Sequence, residues 1–255
     1  MNRHRYGPVV GGVIALCAVA SGSAWGQSTY AGTPVALGQG EAHTFVRTGP
    51  GGELDSIGVV LTAAALEGLP RATPGGPVLF SYHLPMPETG PRTVIDHVTL
   101  DWEALGHPPE GVYDVPHFDF HFYLVGRGEV AKVHFDGPDD SASPAQQPPT
   151  ELVPAGYVLP PGTAVPKMGV HAVNPAAAEF QQKPFEATFI YGYYDKQQTF
   201  IEPMVTLAYL QSKPDFSAPV PRPVSYTRAG SYPSTYRVAY DAGRRVYEIS
   251  LQDLE

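Results

Sequence analysis

The sequence predicts a mostly β fold, either an antiparallel sandwich or a barrel-like domain with little helix. Three observations support this prediction. Short segments that alternate apolar and polar residues recur along the chain, as expected for half-buried strands. Proline and glycine, 28 and 27 among 255 residues, separate these segments as turn residues do. Hydrophobic residues make up 43% of the chain and aromatic residues 11%, which argues against disorder and allows a sizeable core.

The predicted strands can be followed along the chain, and only the stretch AAALEGLP is expected to form one or two helical turns. GPGG and Asp195–Gln198 are expected to be turns, as is the DAG stretch in the last hairpin. The expected strands and hairpins lie at residues 40–48, 54–62, 76–85, 93–105, 115–125, 165–173, 185–210 and 235–251.

Composition divides the chain into five segments. Pro-rich and polar stretches are expected to cross the surface, and the alternating segments between them are expected to form the folded part. We expect a signal peptide at residues 1–26, a flexible mature N-terminus at 27–37, a main β domain at 38–212, a Pro-rich linker at 213–230 and a C-terminal β-hairpin at 231–255.

The first 26 residues have the pattern of a secretory signal peptide. Arg3 and Arg5 form a short basic head, an apolar run follows from Val9 to Ala20, and Ala24-Trp25-Gly26 is typical of a cleavage site. The apolar run is short for a membrane span, so we expect a periplasmic or secreted protein without a membrane span after cleavage. Because Cys17 is the only cysteine, the mature chain would have neither a disulfide nor a thiol nucleophile.

The charge of the chain argues against nucleic acid as a partner. Removing residues 1–26 takes away two arginines and no acid, which changes the formal net charge from −9 to −11. A protein that binds nucleic acid through general electrostatics needs a basic surface instead. Glycine-rich loops that bind phosphate, nucleophile elbows, cupin spacing and twelve-residue calcium loops are also absent from the sequence.

The stretch VPHFDFHFYLV at residues 115–125 carries the strongest candidate chemistry. Successive side chains of a strand point to opposite faces, so Phe118, Phe120 and Phe122 are expected to form one dry, core-facing side. His117, Asp119 and His121 share the other face with Val115, Tyr123 and Val125. Apolar residues on both faces indicate a strand that is covered on both sides. The polar trio should therefore be buried in a pocket and require partners there.

Strand geometry restricts how this trio can bind a metal ion. Residues two apart lie about 6.6 Å apart and residues four apart about 13 Å apart. Asp119 can therefore share an ion with one histidine easily, whereas His117 and His121 share one only if the strand coils or bulges. In a second arrangement, both histidines reach inward, and the Asp119 carboxylate accepts a hydrogen bond from one imidazole and so orients it.

Further ligands must come from other strands. His171, in a short apolar strand next to Gly169, is the first candidate, and Glu202, expected between Phe200 and Met204 on one strand face, is the second. A buried carboxylate either raises its pKa or binds a cation. His97 and His107 are further candidates. The predicted metal ligands are His117, Asp119, His121, His171 and Glu202, and they suit a divalent metal, zinc first and iron or manganese as alternatives.

The sequence also resembles a known family. The strings GHPPEGVYDVPHFDFHFY, VPKMGVH and FIYGYYDKQQTFIEPMVT are similar to those of exported bacterial proteins that carry a domain of unknown function, over about residues 38–212. The resemblance implies a bacterial envelope or secreted protein and a homo-oligomer, and it implies no activity. Asn174 departs from the pattern, which has an Asp there. The residues that match the signature are His107, His117, Asp119, His121, His171 and Glu202.

Two functions remain open on the sequence alone. The first is an exported β protein with a mononuclear metal site, acting as a hydrolase or an oxidoreductase on a small molecule that the sequence does not identify. The second is a non-catalytic envelope binding or assembly protein in which the histidines and aspartate form a structural hydrogen-bond network. Metal content distinguishes them.

Overall fold

A computed structural model describes Met1 and residues 26–255, so the expected signal peptide lies almost entirely outside the described residues. Within residues 26–255, fourteen strands form two antiparallel sheets, and the mostly β prediction is confirmed. The strands are β1 (Ser28–Ala31), β2 (Val35–Leu37), β3 (Gly40–Thr48), β4 (Leu54–Thr62), β5 (Leu79–Pro85), β6 (His97–Glu103), β7 (His117–Tyr123), β8 (Ala164–Val165), β9 (Gly169–Ala172), β10 (Ala187–Tyr194), β11 (Gln197–Thr206), β12 (Asp215–Pro219), β13 (Pro233–Asp241) and β14 (Val246–Leu254).

The first sheet has the order β1-β3-β4-β14-β13-β12, with β2 beside β3, and the second has the order β5-β6-β7-β11-β10-β9-β8. The two sheets form a β-sandwich, and one of them curls into a half-barrel. In the part of the chain that the structure describes, helix is limited to α1 (Arg127–Val130), α2 (Leu207–Gln211) and short 3-10 turns, one of them at the expected Ala63–Leu66. Among the described residues, no helix has the length and apolar character needed to cross a membrane.

The first and last strands of residues 26–255 both belong to the first sheet. β1 and β2 pair with β3, so residues expected to be a flexible mature N-terminus form strands instead. β12 lies within the segment expected to be a linker and pairs with β13. The terminal hairpin, β13 and β14, pairs through β14 with β4. Main-chain hydrogen bonds to neighbouring strands, which composition does not reveal, give these residues their regular structure.

The core lies between the sheets and contains the dry face of β7. Phe118, Phe120 and Phe122 are fully buried and belong to one cluster with side chains of the first sheet. Their partners there include Ile57 of β4 and Ile249 of β14. The alternation of β7 thus commits every second residue to the sandwich core and directs His117, Asp119 and His121 to the other face of the second sheet.

The face of the second sheet that looks away from the core carries a continuous row of polar residues. β6 pairs with β7 in an unbroken antiparallel register, which places Asp101 opposite Asp119 and Glu103 opposite His117. β11 lies on the other side of β7, and its Met204 is opposite Asp119. Loops that include His107–Tyr113 and Gly162–Met168 line the cavity above this face. The pairing of three strands therefore concentrates acidic and imidazole groups under those loops.

Candidate metal centre

The three polar residues of β7 are buried, as the alternation predicts. His117, Asp119 and His121 are 0, 4 and 1% exposed. They do not meet at one point, because β7 runs against β6 without a bulge and the two histidines remain about 13 Å apart along the strand. The structure divides the predicted ligands between two clusters, each of two histidines and one carboxylate.

The His107 cluster consists of His107, His117 and Asp119, and the His121 cluster consists of His121, His171 and Glu202. Within each cluster, one ligand atom from every residue lies within 4.8 Å of the others. In a tetrahedral zinc site with bonds of about 2.0–2.1 Å, the ligand atoms lie about 3.4 Å apart. Each cluster could therefore hold one ion after its side chains move together by up to about 1.4 Å.

In the His107 cluster, two imidazoles point at one carboxylate. His117 Nε2 lies 3.1 Å from Asp119 Oδ1, and His107 Nε2 lies 3.5 Å from Oδ2. The 3.1 Å approach does not have hydrogen-bond geometry, and both of its atoms are buried without a hydrogen-bond partner. On the far side of each ring, Nδ1 contacts a backbone carbonyl, that of Val115 at 2.6 Å and that of Pro108 at 2.7 Å.

These carbonyl contacts determine the tautomer of a neutral ring. A carbonyl oxygen can only accept, so Nδ1 must carry the proton and donate it. In the neutral form, the Nε2 lone pair of His107 and of His117 then faces the Asp119 carboxylate, which is also an acceptor. His171 has the same arrangement, with Nδ1 2.9 Å from the Thr163 carbonyl. Backbone acceptors behind the ring are the usual support of metal-ligating histidines.

In the His121 cluster, an imidazole lies between two acids. His121 Nε2 is 3.5 Å from Glu202 Oε2, and its Nδ1 is 3.4 Å from Asp101 Oδ2. Neither contact is a hydrogen bond, and all four atoms are buried without a partner. His171 lies on β9 of the same sheet, and its ring centroid is 6.5 Å from that of His121. The expected arrival of His171 from a separate strand is what the structure shows.

Burial and mutual repulsion raise the pKa of three acids on this face, Asp101, Glu103 and Glu202. Burial, with the charge of Asp119 and neighbouring carboxylates, raises the pKa of Asp101 and of Glu103 to about 7. Burial and the same charges raise the pKa of Glu202 well above its usual value. No lysine or arginine lines the cavity in the described part of the chain. The negative charge of this face must therefore be balanced by protons or by bound cations.

The histidines of the two clusters differ in charge. Burial lowers the pKa of His121 to about 3 and also lowers the pKa of His171, so both rings are neutral at pH 7. For His107 burial acts in the same direction, but the neighbouring Asp119 carboxylate outweighs it and raises the pKa of His107 to about 9. Asp119 is buried as well, yet its two imidazole neighbours hold its pKa below the ordinary value. Without metal, the His107 cluster is thus a buried ion pair.

A cavity of about 310 Å³ lies against both clusters. Glu103, His107, Asp119, His121, His171 and Glu202 supply its polar lining. Its apolar lining includes Met168, Val173 and Ile190. Tyr113 also lines the cavity, and its hydroxyl donates to Glu179 at 3.2 Å. A small molecule could enter this space and contact an ion held by either cluster.

Sequence reasoning missed two acids of this site. Asp101 and Glu103 belong to the predicted strand 93–105, in which His97, Thr99, Asp101 and Glu103 alternate on one face. That alternation was a readable signal, but only the pairing of β6 with β7 shows which neighbours these acids meet. His97 is outside both clusters, since its Nδ1 lies 2.9 Å from Asp96 and its ring stacks on Tyr123. Asn174 caps a turn by accepting from the Ala176 amide.

Fold and site together define a β-sandwich protein with two histidine–carboxylate clusters that could hold metal ions. A family model described as "TTHB210-like: Hypothetical protein TTHB210" matches residues 51–102. This match supports a family of unknown function, and it covers β4, β5 and most of β6 but ends before β7. No curated protein and no solved structure gives a significant match to the chain.

Proposed function

We propose that this chain binds a divalent metal ion through His121, His171 and Glu202 and acts as a metal-dependent hydrolase on a small molecule in the adjoining cavity. The observation that carries the proposal is the environment of His121. Both ring nitrogens of His121 are buried and lack a hydrogen bond. Nε2 lies 3.5 Å from a Glu202 oxygen and Nδ1 lies 3.4 Å from an Asp101 oxygen, distances at which a cation could contact both atoms of a pair. An imidazole without any partner costs free energy that a bound ion would recover.

The donor set favours zinc. Two imidazoles and one glutamate are a common ligand set of catalytic zinc, and three protein ligands leave one position open toward the cavity. If oxygen ligands fill the remaining coordination positions, the same three residues suit iron or manganese, and the reaction would then be an oxidation. The chain's own contribution is to hold the ligands: the Thr163 carbonyl orients His171, and burial keeps His121 neutral.

Metal analysis of protein purified without a polyhistidine tag tests this proposal. We expect at least one equivalent of zinc, iron or manganese, and we expect Glu202→Gln to lose metal while its circular dichroism spectrum is unchanged. His134→Gln is the matched control, because the His134 side chain is 77% exposed and lies outside both clusters. It should retain the full metal content.

A different result would favour the non-catalytic alternative. Protein that contains no metal after zinc equilibration, and has the same thermal stability with and without zinc, would mean that the clusters form a structural network. The His107–Asp119 pair supports that alternative, since it is charge-balanced without an ion. The two hypotheses therefore differ most sharply at the His121 cluster.

We also propose that the protein is exported, on the basis of Arg3, Arg5, the apolar run from Val9 to Ala20 and the Ala24-Trp25-Gly26 pattern. Intact-mass analysis of the exported fraction should give a mature chain that begins near Gln27. Protein that still carries Met1 in that fraction would contradict the proposal.

A further inference from the structure

We infer that the His107 cluster is a second divalent-metal site and that the cavity holds a two-metal centre. This inference deepens the proposed function and depends on it. The sequence predicts a mononuclear site with five candidate ligands, whereas the structure contains two sets of ligands, each with two histidines and one carboxylate.

The first argument is the arrangement of acceptors around Asp119. His117 Nε2 and Asp119 Oδ1 are buried, 3.1 Å apart and not hydrogen-bonded. With Nδ1 of His117 donating to the Val115 carbonyl, a neutral ring presents a lone pair to the carboxylate. Two acceptors that face each other in a buried site need either a proton or a metal ion between them, and a metal ion would serve both imidazoles at once. His107 completes the set from the loop above the strand, with Nε2 3.5 Å from Asp119 Oδ2.

The second argument is that both clusters share one wall of one cavity. Asp119 belongs to the His107 cluster and His121 to the other, and these residues are two apart on β7. Their side chains point the same way from backbone positions about 6.6 Å apart. Asp119, His107, His121, His171 and Glu202 all line the same 310 Å³ space. Ions held by the two clusters would therefore lie close together, as in two-metal hydrolases.

The third argument is charge. Asp101, Glu103, Asp119 and Glu202 are all buried, at 0, 7, 4 and 1% exposure. In the described residues, no lysine or arginine lines the cavity to balance them. A divalent ion in each cluster would place a positive charge beside these acids, where no basic side chain does so; protons on the acids are the alternative.

The test counts metal ions in the full mature chain after equilibration with zinc and removal of free metal. We expect two zinc ions per chain in the wild type and also in the control His134→Asn. We expect one in His107→Asn and one in His171→Asn, since each variant removes a ligand from one cluster. His107 is partly exposed on a loop, so its replacement should leave the fold intact; a circular dichroism melt checks this.

A measurement on the wild type alone removes any dependence on variant folding. With manganese in place of zinc, two neighbouring ions should give a spin-coupled electron paramagnetic resonance spectrum, whereas the six-line spectrum of an isolated ion would contradict the second site. One ion per chain that His107→Asn keeps and His171→Asn loses would overturn the second site and leave the proposed function in place. A wild type that binds no metal would overturn both.

Discussion

The two faces of β7 are equally buried, but burial has opposite consequences on them. Phe118, Phe120 and Phe122 lose contact with water and gain contact with the first sheet, which stabilises the fold. His117, Asp119 and His121 lose water as completely, and several of their polar atoms gain no hydrogen bond in return. Contact with the first sheet therefore accounts for the burial of the phenylalanine face. The polar face requires a partner that the described residues do not supply.

This difference shows where functional information lies in a buried strand. The phenylalanine face could accept other apolar residues of similar volume, because shape and water exclusion are its only requirements. The polar face has specific requirements for charge, tautomer and direction, and these depend on residues from β6, β9 and β11. Substitutions that separate packing from ligand binding should therefore distinguish the two faces.

The largest expected effect is on the dry face. Phe120→Ala should lower the free energy of unfolding by about 3–5 kcal/mol, since it leaves a cavity in the sandwich core. Urea unfolding of metal-free protein measures this loss. His121→Ala, at the next residue on the other face, should cost less there and abolish metal binding at its cluster. Equal losses for the two variants would contradict the contrast between the faces.

Metal removal should have the next largest effect and should act through the polar face alone. An ion that binds the folded state at a free concentration about 100 times its dissociation constant adds about 2.7 kcal/mol of stability. We expect a chelator to lower the melting temperature of the wild type and of a folded Phe118→Leu variant equally. The chelator should lower the melting temperature of Glu202→Gln by less than it lowers that of the wild type. An equal decrease in both proteins would mean that Glu202 is not a metal ligand.

The smallest expected effect concerns a polar group that does not need a metal. The Tyr123 hydroxyl lies on the polar face of β7 and donates to the Lys167 carbonyl at 3.1 Å. Tyr123→Phe removes this single hydrogen bond and should cost about 1 kcal/mol in urea unfolding. Its metal content should equal that of the wild type. Metal loss in this variant would show that the hydrogen bond between Tyr123 and Lys167, in the 162–168 segment, is needed to hold the ligand clusters in place.

Much of the fold was predictable because strand signals are local. The alternation in residues 40–48, 54–62 and 115–125 predicted strands that the structure contains, and proline and glycine placed the turns between them. The strands in residues 28–37 and 215–219 were missed, since β1 and β2 are short and β12 lies in a Pro-rich stretch. Pairing with β3 and β13 gives them regular structure.

The candidate site was predictable in its residue types and not in its grouping. The period of a strand placed His117, Asp119 and His121 on one face, and the apolar surroundings of Glu202 indicated a buried carboxylate, which is 1% exposed. The split into two clusters depends on His107 turning in from a loop and His171 crossing from β9. Such approaches come from tertiary folding, which spacing along one strand does not encode.

By itself, the sequence determined the β class, the division of β7 into a dry and a polar face, and the identity of most groups on that polar face. Only the tertiary structure decided which imidazole meets which carboxylate, and that Asp101 and Glu103 join them from β6. The physical reason is range. Side-chain alternation is a property of a few neighbouring residues, whereas coordination and charge balance depend on atoms that long-range strand pairing brings within a few ångströms of one another.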